Sequence, residues 1–284
     1  MSDSNDPADP ELAPDRLEAL EAAYEAGLAA ERAGDEAAAV AAWRRCLEID
    51  PEDRGGASVR LAALGTAPAP ERAPPAYVTT LFDQHADSFE MTLVHSLGYA
   101  IPEQIAELLE AEGLGPFDRG VDLGCGTGLV GEALEGTVAA FDAVDLSEAM
   151  LEIAAEKEVY QGLYAGDAIA FLEQAPPAHY DLIVAADVLP YLGAVDGLLD
   201  AMARALAPGG VAVFSTETLE EAAFAGTPGW RVGPKHRYAH APSMLTAAIA
   251  ERGLSLRGMT PVTVRYETGV PVPGHLVLLC AGAS

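Results

Sequence analysis

Residues 121–131 read Val-Asp-Leu-Gly-Cys-Gly-Thr-Gly-Leu-Val-Gly. An apolar, strand-like run ends at Leu123, three glycines follow at alternate positions (Gly124, Gly126, Gly128), and a helical pattern begins. Such a turn lets backbone approach a ligand that side chains would exclude. The stretch 126–131 also satisfies GxGxxG, so a dinucleotide site and a nicotinamide-dependent oxidoreductase have to be weighed. Two features oppose that reading: the turn is spaced GxGxG after the strand, and Asp122 sits beside it. A carboxylate there repels a diphosphate but suits a ligand bearing an ammonium and a sulfonium. Further acids close three later strand-like runs: Asp145 in AVDLSEAML, Asp167 in YAGDA and Asp187 in AADVLPYLG. Each alone is explained as a helix N-cap or turn residue. Four in one ordered series are harder to explain that way.

The series resembles the class I S-adenosylmethionine-dependent methyltransferases, whose first motif is written (V/L)-D-(L/V)-G-C-G-x-G. Residues 121–128 match it, and LAPGG at 206–210 matches the turn before the family's fifth strand. The resemblance implies S-adenosylmethionine as cofactor. It places Asp122, Gly124, Cys125, Gly126 and Gly128 in the cofactor loop, and Asp145 on the two ribose hydroxyls with Leu146 and Met150 following. It also sets Asp167 and Ala168 at the adenine and Asp187 beside the substrate entrance. A carboxylate suits a diol because it accepts two hydrogen bonds at once. More closely, the chain is similar to bacterial methyltransferases with an N-terminal tetratricopeptide segment, through YVTTLFDQHADSFEMTLVHSLGY (77–99) and RYAHAPSML (237–245). That similarity implies that Phe82, Phe89 and Tyr99 cover the cofactor, although amphipathic packing alone accounts for each. DVLPY at 187–191 lacks the [DNS]PP[YFW] signature of adenine-N6 enzymes, which argues against DNA.

An activated methyl donor leaves the protein to align the acceptor and exclude water. A base is needed only for a hydroxyl, a carbon acid or a protonated amine. The candidates are His85, His236 and His240, with Tyr191 and Tyr238 as positioning groups. Arg231, Lys235, Arg237 and Tyr238 form a cationic cluster that could bind a carboxylate or phosphate on a small acceptor. The same cations could instead balance neighbouring acids.

The elements that must hold these residues follow from periodicity. Strand-like runs at 120–125, 137–146, 160–167, 180–187 and 210–216 alternate with helical patterns at 129–135, 147–158, 168–174 and 196–207. A helix near 242–252 is followed by a terminal hairpin, 254–267 with 274–281. The pattern predicts an α/β fold: a doubly wound, mostly parallel seven-stranded sheet of Rossmann-like methyltransferase type with an antiparallel edge. Upstream lie a polar lead (1–15) expected to be disordered, two amphipathic helices (16–33 and 36–49) and an extended linker (65–76); the domain proper spans 77–284. Gly27, Gly34, Ala39, Trp43 and Pro51 resemble the small, aromatic and terminating positions of a 34-residue tetratricopeptide repeat, covering 16–64. One such repeat cannot bury its own face, so a partner, a second copy in a homodimer or the following domain is expected to cover it.

Composition bounds the partners. The 284 residues carry 44 acidic against 16 basic groups, a net charge of −28. Residues 1–76 hold 16 acids and 7 bases, 77–230 hold 26 and 3, and 231–284 reverse the sign with 2 and 6. A nucleic-acid partner is not expected, because phosphate binding needs a cationic face. No apolar run is long enough to span a bilayer, and MSDSNDPADP lacks the basic and apolar regions of a secretion signal, so a cytoplasmic protein without a membrane partner is expected. Cys46, Cys125 and Cys280 are far apart, without CxxC spacing, and predict no metal site.

Overall fold

A computed structural model describes residues 13–282. Most of the expected lead, residues 1–12, lies outside the described residues. The first helix begins inside that lead: α1 (Pro14–Ala33) carries proline in its first turn, where the missing N–H leaves no bond unmade. Gly34 ends it in the left-handed region, φ 71°. Asp35 caps α2 (Glu36–Ile49) by accepting the Ala38 N–H at 3.0 Å. Asp53 performs the same service for α3 (Ala57–Ala63), accepting the Ala57 and Ser58 N–H groups at 2.6 and 3.0 Å. Trp43 is fully buried among Ala23, Ala30, Cys46 and Leu61.

The 65–76 segment is less free than a plain linker. Arg72 bridges to Leu192 in antiparallel fashion, and α4 (Pro75–Asp83) starts within the segment. The 77–99 stretch is broken into α4, a 3-10 turn at Ala86–Ser88 and a π-helical turn at Met91–Ser96. The Leu97 carbonyl beyond it accepts the Tyr266 N–H at 2.7 Å, which ties this roof to the far edge of the sheet.

The domain then runs α5 (Ile101–Ala111), β1 (Phe117–Leu123), α6 (Leu129–Ala133), β2 (Val138–Asp145), α7 (Glu148–Glu156), β3 (Gly162–Ala165), α8 (Ala168–Gln174), β4 (Tyr180–Ala185), α9 (Asp196–Ala205) and β5 (Leu206–Glu217). A two-stranded hairpin, β6 (Trp230–Val232) and β7 (Tyr238–His240), precedes α10 (Pro242–Glu251), β8 (Leu254–Glu267) and β9 (Val270–Ala281). The sheet order is β3-β2-β1-β4-β5-β9-β8. The first five strands are parallel, and β9 and β8 pair antiparallel at the end. Seven strands and the antiparallel edge agree with the expectation; the β6–β7 hairpin was not foreseen.

Adjacent residues of each central strand serve opposite layers, as the period of two requires. Ile183 and Ala185 of β4 pack with α8, α9 and α10, while Leu182 and Val184 pack with α5 and α6. Full burial of Leu182, Ile183 and Val184 contributes roughly 1.5–3 kcal/mol of transfer free energy each. The sheet is therefore a rigid platform with strand ends β1 to β5 at one rim.

The N-terminal helices cover the hairpin. Val59 of α3 shares a buried cluster with Val232 and Tyr238, and His236 Nε2 lies 4.0 Å from Glu31 of α1. The chain's own hairpin thus covers part of the helical segment.

Candidate functional site

At the carboxyl rim a cavity of about 490 Å³ opens beneath the 72–99 roof. That volume falls within the roughly 300–1,000 Å³ of small-molecule sites. Its floor is the glycine turn: Gly124, Gly126 and Gly128 have φ of 66°, 53° and 91°, values that disfavour any side chain. A Cβ on Gly126 would point at the Phe89 ring, 3.7 Å away, filling the space between turn and roof. Gly131 has another reason to be glycine, because a Cβ there would meet Val159 at 2.5 Å and Tyr160 at 2.7 Å. The GxGxxG match therefore reflects helix packing at its last position.

Asp145 ends β2 on the cavity wall, where its Oδ2 accepts the Gly126 N–H at 2.8 Å and its Oδ1 the Ser147 N–H at 2.9 Å. The carboxylate so fixed braces the turn and keeps lone pairs for a ligand. Burial pushes its pKa above the usual range, opposed by the backbone donors at Ser147 and Gly126. Leu146 is on the wall beside it. Asp167 follows β3; its Oδ1 caps α8 through the Ala170 N–H at 3.0 Å, and its Oδ2 receives Arg72 Nη1 at 2.9 Å. Ala168 and Cys125 also line the cavity.

The other half of the cavity lies across β1. Asp187 follows β4 at φ 58°, a strained conformation for a residue with a side chain, and its Oδ2 receives Arg265 Nη1 at 2.9 Å. Burial, opposed by the Arg265 charge, raises its pKa. Arg265 also binds Glu217 and Glu267, and Arg237 binds the same two glutamates. Three carboxylates thus enclose two guanidiniums, leaving one negative charge in excess. Tyr99 and Tyr191 line this half, and burial reinforced by Asp187 raises both phenol pKa values, so both keep their protons. Phe82 packs edge-on against Phe89 and Tyr191, with centroids 6.0 and 5.4 Å apart.

Several sequence expectations need correction. Asp122 and Met150 are fully buried under the turn, off the cavity wall, and Gly128 shapes the turn without lining the cavity. His236 faces the helical segment, where burial and the Arg60 charge hold its pKa down at about 4. His240 is buried with Nε2 2.8 Å from the Leu192 carbonyl, and burial lowers its pKa to about 4. Neither lines the cavity; of the three histidines only His85 does. Tyr238 spends its hydroxyl on the Pro70 carbonyl at 2.9 Å. Arg231 donates to the Ala223 carbonyl, and neither it nor Lys235 lines the cavity. Only Arg237 of the cationic cluster reaches the cavity, already neutralised. Arg231 stands on β6, Lys235 and Arg237 lie in the turn between the strands and Tyr238 opens β7, so closeness in sequence does not bring them to one surface.

Arg265, Glu217, Glu267 and Arg72 are the site residues that sequence reasoning missed. A register shift between Thr263 and Arg265 turns Arg265 inward next to buried Val264. The residue pattern shows no such bulge.

The donor set fits an adenosyl cofactor better than a dinucleotide. Carboxylates stand beside the glycine turn, suited to hydroxyl and amino donors, and the three arginines on the wall are each paired with carboxylates. No cation is left for a diphosphate among the described residues of the wall.

Residues 121–212 match the family model for a methyltransferase domain. The match runs from β1 into β5 and takes in the glycine turn, so the methyltransferase domain coincides with the strands that carry the cavity. The chain is 31% identical over 166 residues to the ubiquinone biosynthesis O-methyltransferase of Maricaulis maris, covering 54% of this chain and 65% of that protein. It is 30% identical over 101 residues to the protein of the same name from Burkholderia vietnamiensis, covering 34% and 44%. The matches therefore span about half the length of these curated relatives. Among solved structures the [4+2]-cyclase SpnF aligns with a TM-score of 0.51 at 17% identity, covering 64% of this chain and 81% of that one, a likeness of fold. No helix among the described residues is long and apolar enough to cross a membrane.

Proposed function

We propose that the chain transfers a methyl group from S-adenosylmethionine to a hydroxyl of a small, uncharged, largely apolar acceptor. The observation that carries the reading is one continuous cavity holding the glycine turn, Asp145 and Asp167 on one side of β1 and Asp187, Tyr99 and Tyr191 on the other. That the two relatives are named O-methyltransferases supports oxygen as the acceptor atom. The excess carboxylate at the β4 side disfavours the anionic acceptor that the cationic cluster suggests.

Asp145 would hold the ribose hydroxyls and Asp167 the adenine amino group. The cofactor, when bound, supplies an electrophilic methyl group. Phe82 and Phe89 exclude water from above, and Tyr99 and Tyr191 keep protons to donate to the acceptor oxygen. His85 Nδ1–H donates to the Leu81 carbonyl at 2.7 Å, which leaves Nε2 as the ring's proton acceptor. Lining the cavity from the roof, it can take the hydroxyl proton as the methyl is transferred.

The test is transfer of labelled methyl from S-adenosylmethionine to matched rings bearing a hydroxyl (catechol, 4-methylphenol) or only a carboxylate (benzoate). Methylation confined to the hydroxyl compounds is expected. Methylation of benzoate alone would overturn the acceptor assignment.

A further inference from the structure

The strap joining the helical segment to the sheet is part of the cavity wall. The Gly193 and Ala194 N–H groups both donate to the Glu71 carbonyl at 2.8 Å, and the Ala73 N–H donates to the Tyr191 carbonyl at 2.8 Å. Together with the Tyr238 bond to Pro70, these fix the backbone on either side of Arg72. Pro70, Pro74 and Pro75 stiffen it further by restricting φ. Arg72, Ala73 and Pro75 line the cavity together with Gly166, Asp167 and Ala168.

Between these anchors Arg72 Nη1 reaches Asp167 Oδ2 at 2.9 Å, while Asp167 Oδ1 is held by the Ala170 N–H at 3.0 Å. The carboxylate is gripped from both sides. The Arg72 side chain is 47% exposed, and an ion pair so exposed contributes little to stability. Main-chain bonds already anchor the strap, so the pair is not needed to hold it. Its effect falls on the orientation of Asp167.

We infer that Arg72 is a specificity-determining positioning residue for the adenine end of the cavity. By fixing Asp167 as a hydrogen-bond acceptor there, it makes the site take a purine with an exocyclic amino group and reject one with a carbonyl in that place. A guanidinium has donors only, so it holds the carboxylate without competing for the amino protons. The inference rests on the adenosyl-cofactor reading above. It also gives the N-terminal extension a part in ligand selection, since Arg72 lies upstream of the methyltransferase domain.

The test titrates the full chain with S-adenosylhomocysteine and with S-inosylhomocysteine, comparing wild type with Arg72→Ala, Arg72→Gln and Arg72→Lys, alongside thermal melts. Wild type is expected to prefer the adenosyl ligand by on the order of tenfold or more. Arg72→Ala, with its melt unchanged, should lose most of that ratio through weaker adenosyl binding, and Arg72→Lys should restore part of it. Arg72→Gln keeps much of the stem and decides the matter if the alanine variant is unstable. A ratio within about threefold of wild type in folded Arg72→Ala or Arg72→Gln overturns the inference, as does a wild type that binds both ligands equally. A wild type that binds neither ligand overturns the adenosyl reading itself, and the inference with it.

Discussion

Tyr160 ties the end of β1 to α6, on the two sides of the glycine turn: its hydroxyl donates to Asp122 Oδ2 at 2.6 Å and accepts the Gly131 N–H at 3.0 Å. The other Asp122 oxygen is sealed from solvent without a hydrogen bond. The acid that the motif places beside the cofactor thus acts one layer lower, holding the turn in shape.

Burial pushes the Asp122 carboxyl from 3.8 up to about 7, with the Tyr160 bond opposing and the Asp145 charge adding. The folded pKa exceeds the unfolded one, so the native state binds the extra proton between them. Its stabilising effect is present at low pH and is lost as pH rises through about 7. Asp122→Asn keeps the shape without the charge. Its melting temperature relative to wild type is expected to rise between about pH 4 and pH 7 and to level off above that. A difference independent of pH would contradict the assignment.

The roof histidine separates chemistry from binding. His85→Gln should lower kcat on a hydroxyl acceptor by about 10²- to 10⁴-fold and leave the S-adenosylhomocysteine Kd nearly unchanged. His236→Ala, altered on the face toward Glu31, should retain wild-type kcat. Equal losses in both variants would remove His85 from the reaction.

Arg265 is 3% exposed and serves Asp187, Glu217 and Glu267 together. Removing it as Arg265→Met leaves three carboxylates around Arg237 alone. Breaking a buried pair in this way costs about 3–5 kcal/mol, because the unpaired charge stays desolvated. Urea denaturation should show a loss of that size. A loss below about 1 kcal/mol, the range of an exposed pair, would mean that the network is solvated in solution.

How far the sequence carries the account depends on the reach of each interaction. The parallel strands and their order of acids are legible because burial on both faces makes continuous apolar runs, as in YDLIVAAD, and because Ser147 and Asp167 cap the helices that follow. The cofactor end is local: turn, Asp145 and Asp167 each sit at the end of a strand that periodicity locates. The β4 side, and the hold on Asp167 from the strap, are assembled over long separations. Arg265 reaches Asp187 across 78 residues and Arg72 reaches Asp167 across 95. A bulge and a strap make those meetings, and neither has a periodic signature. The cation cluster failed for a related reason: residues adjacent in 231–240 are divided between a strand, a turn and a second strand, each with its own neighbours.

The most direct test of the adenosyl site is calorimetric titration of the purified chain with S-adenosylmethionine and S-adenosylhomocysteine, beside an Asp145→Ala variant and an NADH control. Wild type is expected to bind both adenosyl ligands and not NADH, and Asp145→Ala, folded by its melt, to bind neither at comparable concentration. Binding of NADH with indifference to S-adenosylmethionine, or undiminished binding by the variant, would contradict the adenosyl reading.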